Sequence, residues 1–366
     1  MLSSNPIKKS LNWLGRQLFN QDNPAAFFDP LVTPINPLWI RGFTPAQVQD
    51  IITETADTKT FVLKPTNRWT GFEAGQHVNL SVDIDGVRYT RTFSLSSTPA
   101  RWIADGTITL TIKRLPGGLV TNWMHDNLKP GTVLGLSKAF GDFLEPQAVE
   151  PLLFIAGGSG ITPILSLLET LEKNHYRAPV ALLYFVRTQA DVIGAERLYA
   201  LRQRWPAFNL QVVYSQEDGE PVYLGEQHLD TIPGIKARLC YLCGPKGLMD
   251  LATDLLGKYG ISNDRIRVTF FSAPAPVFTG ESGGLVTFSR SGKDVEASDG
   301  TALLELAEAA KLNPKYGCRM GICHQCKCTK TSGTVVNSLT GKVSSPGEEQ
   351  IQLCISVPQG PVTIDL

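Results

Sequence analysis

Between residues 45 and 145 apolar and polar positions fall into short β-like runs. His77–Ile84 reads His-Val-Asn-Leu-Ser-Val-Asp-Ile, a period of two that predicts a strand. Thr60–Leu63, Tyr89–Leu95, Thr107–Lys113 and Val133–Leu136 are similar, and Asp85-Gly86 is a hairpin turn signal between two of them. Together they predict an antiparallel barrel over residues 44–146. After Pro151 the texture changes. Leu152–Ala156 is short and wholly apolar, a glycine turn follows, and Ile164–Glu172 then runs at helical period. Ala181–Val186, Leu210–Tyr214 and Cys240–Leu242 are further buried-type strands, separated by helical stretches at Ala195–Arg204 and Leu248–Lys258. Strands alternating with helices imply a parallel sheet covered on both faces, over residues 150–272.

The ends of the chain read differently. In residues 1–43, Ile7, Leu11, Leu14 and Leu18 give one helical candidate, and Asn23-Pro24, Asp29-Pro30, Thr33-Pro34 and Asn36-Pro37 then mark an extended strap. Ser272-Ala-Pro274-Ala-Pro276 opens a linker over 273–283. Residues 284–366 form a last module, with a helix at Ala302–Ala310 and strand-like runs at Leu285–Phe288 and Val362–Asp365.

A length of 366 residues fits two or three domains rather than one core. The formal charge is zero and 19% of residues are charged, so nothing electrostatic favours nucleic acid as a partner. No run of 18 apolar residues predicts a transmembrane helix, and no apolar segment follows Lys8-Lys9 as a secretory signal would require.

The chemistry is concentrated in four motifs. Cys318-x4-Cys323-x2-Cys326 with a distant Cys354 has the ligand spacing of a plant-type [2Fe–2S] cluster. The Cys323/Cys326 pair alone would also suit structural zinc, but Cys318 and Cys354 do not make the second close pair of a zinc site. Of the seven cysteines, Cys240, Cys243 and Cys328 are left over, an odd number that argues for a reducing cytoplasm rather than a disulfide framework. Arg91-Thr-Phe93-Ser94 ends a barrel strand and offers a cationic fork for pyrophosphate, an aromatic face and a small donor; an ordinary exposed arginine is the alternative. Gly117-Gly118 opens a short helix suited to phosphate, unless it is a plain turn with Thr121 as N-cap. Gly157-Gly158-Ser159-Gly160-Ile161-Thr162-Pro163 lies between an apolar strand and a helix, where glycines let backbone approach a pyrophosphate. Cys243-Gly244-Pro245 ends the last apolar strand, where open α/β sheets place ligands; Cys243 could equally be a small buried hydrophobe.

In this order the motifs resemble the ferredoxin–NADP reductase superfamily fused to a plant-type ferredoxin, from about residue 45 onward. The resemblance implies an antiparallel FAD barrel, an α/β nucleotide module and a β-grasp (α+β) ferredoxin. It implies flavin contacts at Arg91, Phe93, Ser94, Gly118 and Thr121. Nucleotide contacts fall at Gly158, Gly160, Thr162, Cys243, Gly244 and Pro245, with Thr162 and Cys243 as the catalytic pair beside the nicotinamide. Many members have Tyr where Phe93 stands, and Glu-x-Phe where Thr269-Phe270-Phe271 stands; Phe271 is the expected stacking residue. Ser215-Gln216 follows the third strand, where NADP-specific relatives often have Ser-Arg, so Gln216 counts against NADPH. Arg187 after the second strand counts for it, and NADPH is expected over NADH.

More narrowly, Asn36-Pro-Leu-Trp39, Glu54-Thr-Ala-Asp57, Val82-Asp-Ile-Asp85 and Cys318-Arg-Met-Gly-Ile-Cys323-His are similar to bacterial acyl-CoA desaturase electron-transfer partners. This implies a relay from NADPH through FAD and iron to a membrane-bound di-iron desaturase. Reductases of aromatic-ring or CoA-ester oxygenases share the three modules and are the alternative; a non-catalytic redox sensor or cluster carrier is a third. Lys8, Lys9, Arg16, Trp13 and Phe19 suit residues 5–19 either to peripheral contact with the inner face of a membrane or to packing on the flavin module.

Overall fold

The computed structural model describes residues 43–85, 87–216, 219, 221–269, 283–297, 300–312, 314–316, 321, 326–338 and 341–366. The expected N-terminal helix and strap, most of the linker, Phe271, Cys318 and Cys323 lie outside these residues. The chain falls into two compact units. One joins Met1–Glu145 with Thr162–Tyr176 and Ala190–Leu201; the other joins Pro146–Ile161, Arg177–Gln189 and Arg202–Leu366.

The first unit holds a six-stranded antiparallel sheet. Its strands are β1 (Thr44–Thr55), β2 (Thr58–Pro65), β3 (His77–Ile84), β4 (Val87–Ser94), β5 (Ile108–Lys113) and β6 (Val133–Leu136), in the order β4-β3-β6-β1-β2-β5. A bridge between Leu95 and Leu110 joins the two outer strands, so the sheet closes into a barrel. Val48, Phe61, Leu63, Val78, Leu80 and Leu110 fill its interior. Two helices interrupt the strands, α1 (Pro99–Asp105) and α2 (Leu119–Asn127). β1 escapes a pattern reading because it is largely polar. Register shifts after Val48 and Thr53 also break its alternation. α1 buries no residue, so it has no apolar period. Its Thr98 cap, Pro99 and left-handed Gly106 carry the whole signal.

The parallel sheet of the second unit comprises β7 (Leu152–Gly157), β8 (Val180–Val186), β9 (Phe208–Tyr214), β10 (Leu239–Cys243) and β11 (Ile266–Thr269), in the order β11-β10-β7-β8-β9. Along the chain come α3 (Ile161–Lys173), α4 (Ala195–Arg204), α5 (Glu226–Leu229) and α6 (Lys246–Lys258). β7 and β8 are buried along their whole length, which is why they read as unbroken apolar runs. The strand order reverses between β7 and β10, and the crevice beyond their carboxyl ends is where such sheets take ligands.

The last module is a mixed sheet of β12 (Gly284–Phe288), β13 (Lys293–Ala297), β14 (Lys327–Asn337), β15 (Glu349–Gln352) and β16 (Ser356–Ile364), ordered β13-β12-β16-β14-β15. The helix α7 (Leu303–Ala309) packs Leu303, Leu304 and Leu306 into a core with Val286, Phe288 and Val362. Among the described residues of this module β12 and β16 pair in parallel and the other strand pairs are antiparallel, which gives the β-grasp arrangement. The fully buried Lys330 donates to the carbonyls of Ser345 and Gly347, fixing the loop that returns to β15. Among the described residues no helix is long and apolar enough to cross a membrane.

One buried cation ties together the amino ends of the central strands of the parallel sheet. Arg238 is 4% exposed and donates to the carbonyls of Leu152 (2.6 Å), Pro179 (3.2 Å) and Pro233 (3.0 Å). Arg238→Met removes the donor and strands three acceptors, so it should cost about 2–4 kcal/mol. Urea unfolding followed by near-ultraviolet circular dichroism measures this; a shift within about 0.5 kcal/mol would show that water satisfies those carbonyls.

Candidate functional site

At the carboxyl end of the parallel sheet, two strand ends come together without side chains between them. A Cβ on Gly160 would lie 2.0 Å from the Cys243 carbonyl oxygen, so only glycine fits. Gly158 has φ of +51° and open space where a Cβ would be, with its carbonyl held by the Tyr184 hydroxyl at 3.0 Å. The turn then enters α3 at Ile161, whose N–H donates back to the Gly158 and Ser159 carbonyls. Pro245 is the N-cap of α6, so a second helix starts at Gly244-Pro245. Arg187 and Ser215 meet at the same end of the sheet: Ser215 N–H donates to the Val186 carbonyl (2.7 Å) and Gln216 N–H to the Arg187 carbonyl (2.9 Å). The room above Gly158 and the helix starts fit a dinucleotide pyrophosphate.

The expected nicotinamide neighbours are enclosed. Cys243 is 0% exposed and Thr162 is buried. Burial pushes the Cys243 thiol up, far from ionisation, and holds Cys240 at about 12. Cys243 is therefore a neutral packing surface, not a thiolate.

On the barrel, β3 and β4 pair so that one face is a ladder of polar contacts. Arg88 forks onto Asp83 (2.9 and 3.0 Å), Ser81 meets Thr90 (2.7 Å), Thr92 donates to Asn79 (2.7 Å) and His77 lies 3.3 Å from Ser94 Oγ. Ser94 belongs to this face. Arg91 and Phe93 belong to the other, Phe93 against the barrel core and Arg91 exposed. Thr121 is not an N-cap: Gly118 is, and the Thr121 hydroxyl inside α2 accepts the Leu115 N–H at 3.3 Å. The turn ahead of the helix is tight, with Gly117 left-handed and the place of a Gly118 Cβ only 2.9 Å from Thr121 Oγ1. A pocket of about 160 Å³ beside Asp83, Arg88 and Trp123 is lined by none of the expected flavin residues.

In the last module, the pairing of Lys327 with Gln352 brings Cys326 and Cys354 together. Their sulfurs are 3.2 Å apart. Two thiolates on one tetrahedral metal lie roughly 3.7 Å apart, so these two can share an iron. The Gly321 N–H points at Cys354 Sγ (3.3 Å), and Gln352 donates to the Gly321 carbonyl (2.6 Å). Cys328 turns to the Asp365 carbonyl instead, at 3.4 Å. His77 and Gln352 went unnoticed in the sequence. The alternation His77, Asn79, Ser81, Asp83 was a visible signal for the first; for the second there was none.

Comparison with known proteins accounts for all three modules. Residues 45–144 match an oxidoreductase FAD-binding domain, 154–254 an oxidoreductase NAD-binding domain and 286–359 a 2Fe-2S iron-sulfur cluster binding domain. An NADPH oxidoreductase of Mycobacterium tuberculosis is 32% identical over 335 residues, covering 90% of this chain and 86% of the relative. The chain belongs to this family of flavin and iron–sulfur oxidoreductases. Its cofactors are FAD, NAD(P)H and a [2Fe–2S] cluster, and the zinc alternative falls. The glycine betaine monooxygenase reductase subunit of Pseudomonas aeruginosa is 29% identical over 367 residues, covering 93% of this chain and 99% of the relative. The fold matches phthalate dioxygenase reductase with a TM-score of 0.61 at 22% identity, over 89% of this chain and 98% of that one. The second likeness shows the fold; the first relative is, by its name, the reductase of an oxygenase. That overturns the expectation of a fatty-acyl desaturase as acceptor and supports the oxygenase alternative instead.

Burial holds the His77 pKa down at about 4, against an ordinary 6.5, and Asp142 only partly offsets this. Between those values the unfolded chain binds a proton that the folded barrel does not. Stability is thus complete above about pH 6.5 and falls as pH drops towards 4, by about 3 kcal/mol in all. His77→Asn should flatten this part of the profile, read as flavin release on heating between pH 4 and 7.5; an unchanged slope would assign it elsewhere. Gln352→Leu frees the Gly321 peptide and weakens its N–H···S contact, so the cluster potential should become more negative in an EPR-monitored titration. A potential equal to wild type would mean that the loop holds Gly321 unaided.

Proposed function

We propose that this chain is the reductase component of an oxygenase, delivering electrons from NADPH one at a time to a separate protein that activates oxygen. The observation that carries this reading is the near end-to-end likeness to the glycine betaine monooxygenase reductase subunit. When bound, FAD takes up two electrons as a hydride and releases them singly, and the cluster passes them on.

The chain's own residues have distinct tasks in this reading. Gly158 and Gly160 admit the pyrophosphate to the start of α3, and Gly244 and Pro245 form the opposite wall. Thr162 and Cys243 border the nicotinamide as neutral groups that fix its plane, and Phe271 covers the flavin ring. Arg187, with Ser215 beside it, binds the 2′-phosphate through a charge-assisted contact. Arg91 neutralises the flavin pyrophosphate, Phe93 and Ser94 hold the ring, and Gly118 with Thr121 shapes the second phosphate turn. Cys318, Cys323, Cys326 and Cys354 hold the cluster.

Mixing the purified, cofactor-loaded chain with oxygenase components tests the reading: NADPH should bleach the flavin and cluster bands and then drive oxygenase turnover. Full bleaching with no electron delivered to any oxygenase would refute the partner class. Arg187→Glu should weaken NADPH binding roughly 10- to 100-fold and NADH binding by less than about threefold. Equal losses for both nucleotides would remove Arg187 from the 2′-phosphate.

A further inference from the structure

Just past β4, a closed polar circuit surrounds Ser96 and Ser97, two buried residues that follow Ser94 and Leu95. The Ser96 N–H donates to the Thr109 carbonyl (2.9 Å), and its hydroxyl lies 2.8 Å from that of Thr111, itself 2.7 Å from Thr60. Thr60 donates to one oxygen of Glu54 (2.6 Å), whose other oxygen accepts the Gly194 N–H (3.1 Å). Gly194 precedes α4, and Arg197 on that helix closes the circuit by donating to the Ser96 carbonyl at 2.5 Å. The same guanidinium forks onto Glu169 of α3, at 2.6 and 2.9 Å. One turn earlier on α3, Ser166 is 0% exposed and donates to the Ser97 carbonyl at 2.6 Å.

Two consecutive backbone carbonyls are therefore each held by a side chain linked to α3. Apolar packing is non-directional and would let a helix slide or roll on the barrel. Hydrogen bonds to fixed carbonyls are directional and stop both motions. Thr162 sits one turn before Ser166, about 6 Å along the helix, and Ser94 lies three residues before Ser97.

We propose that Ser166 and the Glu169–Arg197 pair are positioning residues that fix the start of α3 against the end of β4, and so set how the pyridine nucleotide meets the flavin. This rests on the reading that Thr162 and Ser94 border the two cofactors. In the step affected, a hydride leaves nicotinamide C4 and joins flavin N5; the nucleotide loses two electrons and the flavin gains them. Neither side chain touches the reacting atoms. They act through backbone, and small displacements are costly in such a transfer.

The test uses the full, cofactor-loaded chain with Ser166→Ala, Arg197→Met and the milder Glu54→Gln. Flavin content, stopped-flow flavin reduction across NADPH concentrations, the deuterium isotope effect from C4-labelled nucleotide, and amide exchange over Ser94–Thr98 are measured. The expected result for Ser166→Ala and Arg197→Met is unchanged flavin content and half-saturation within about twofold. The limiting rate should fall roughly tenfold or more, with a larger isotope effect and faster exchange at Ser96–Thr98. Glu54→Gln should give a smaller change in the same direction. Wild-type limiting rates in Ser166→Ala and Arg197→Met, or a loss that only tracks missing flavin, would overturn the proposal. If Arg197→Met does not fold, Ser166→Ala decides alone, since it deletes one hydroxyl. A wild-type chain that neither nucleotide reduces would instead bring down the functional reading beneath it.

Discussion

The absence of a side chain at Gly160 is the constraint on which the nucleotide end depends. The reversal in strand order brings the ends of β7 and β10 side by side, and the turn leaving β7 must cross the carbonyl of Cys243. Any Cβ there would collide with backbone, which cannot move without dragging a sheet strand. With glycine in place, the chain passes under the open space above Gly158 and enters α3 there. In the proposed nucleotide site the positive end of a helix would meet the phosphate, with no ionised side chain required at that point.

The other two ends solve the same problem with different materials. In each, a regular sheet fixes the candidate residues through one or two side-chain contacts. On the barrel, the β3–β4 pairing sets His77 opposite Ser94, and deep burial keeps the imidazole neutral so that it can hold a hydroxyl without adding charge. In the last module, β14 and β15 pair beside Cys326 and Cys354, and Gln352 reaches back to the Gly321 carbonyl. A scaffold of this kind lets loops of unusual backbone shape persist, because strain in the loop is small beside the cooperative stability of the sheet.

Elements with one strong local signal were legible from sequence. β3, β6 and α4 have the bounds that their hydrophobic pattern predicted, and the apolar runs of β7 and β8 announced a buried parallel sheet. β1, β11, β13, β14 and β15 were missed because their stability comes from partners far along the chain and their own patterns are polar or brief. The same division holds at the site. Glycine and cysteine spacings are local and were readable; His77 against Ser94, Arg197 against Ser96 and Gln352 against Gly321 are meetings across long sequence separations. The acceptor was misread for another reason. Cofactor motifs report how electrons enter and are stored, whereas an acceptor is chosen by surface shape and charge. The strap and loop resemblances used to infer a desaturase had no such physical link to the acceptor.

The chemistry assigned to the middle of the chain explains why its residues are so quiet. A hydride moves with its own electron pair, so no general base is needed, and a charged side chain beside the nicotinamide would alter the transfer it is meant only to host. In the proposed assignment Thr162 and Cys243 would meet this condition: the thiol is held neutral by burial, and Thr162 is buried at the start of α3. With electronic tuning left to the cofactors, geometry becomes the protein's main means of control. Geometry within a fraction of an ångström requires directional contacts, and these are what the buried hydroxyls and the Arg197 fork around Ser96 and Ser97 provide. Polar groups that would be extravagant in an ordinary core are thus accounted for by the accuracy that a two-electron transfer between two bound rings demands.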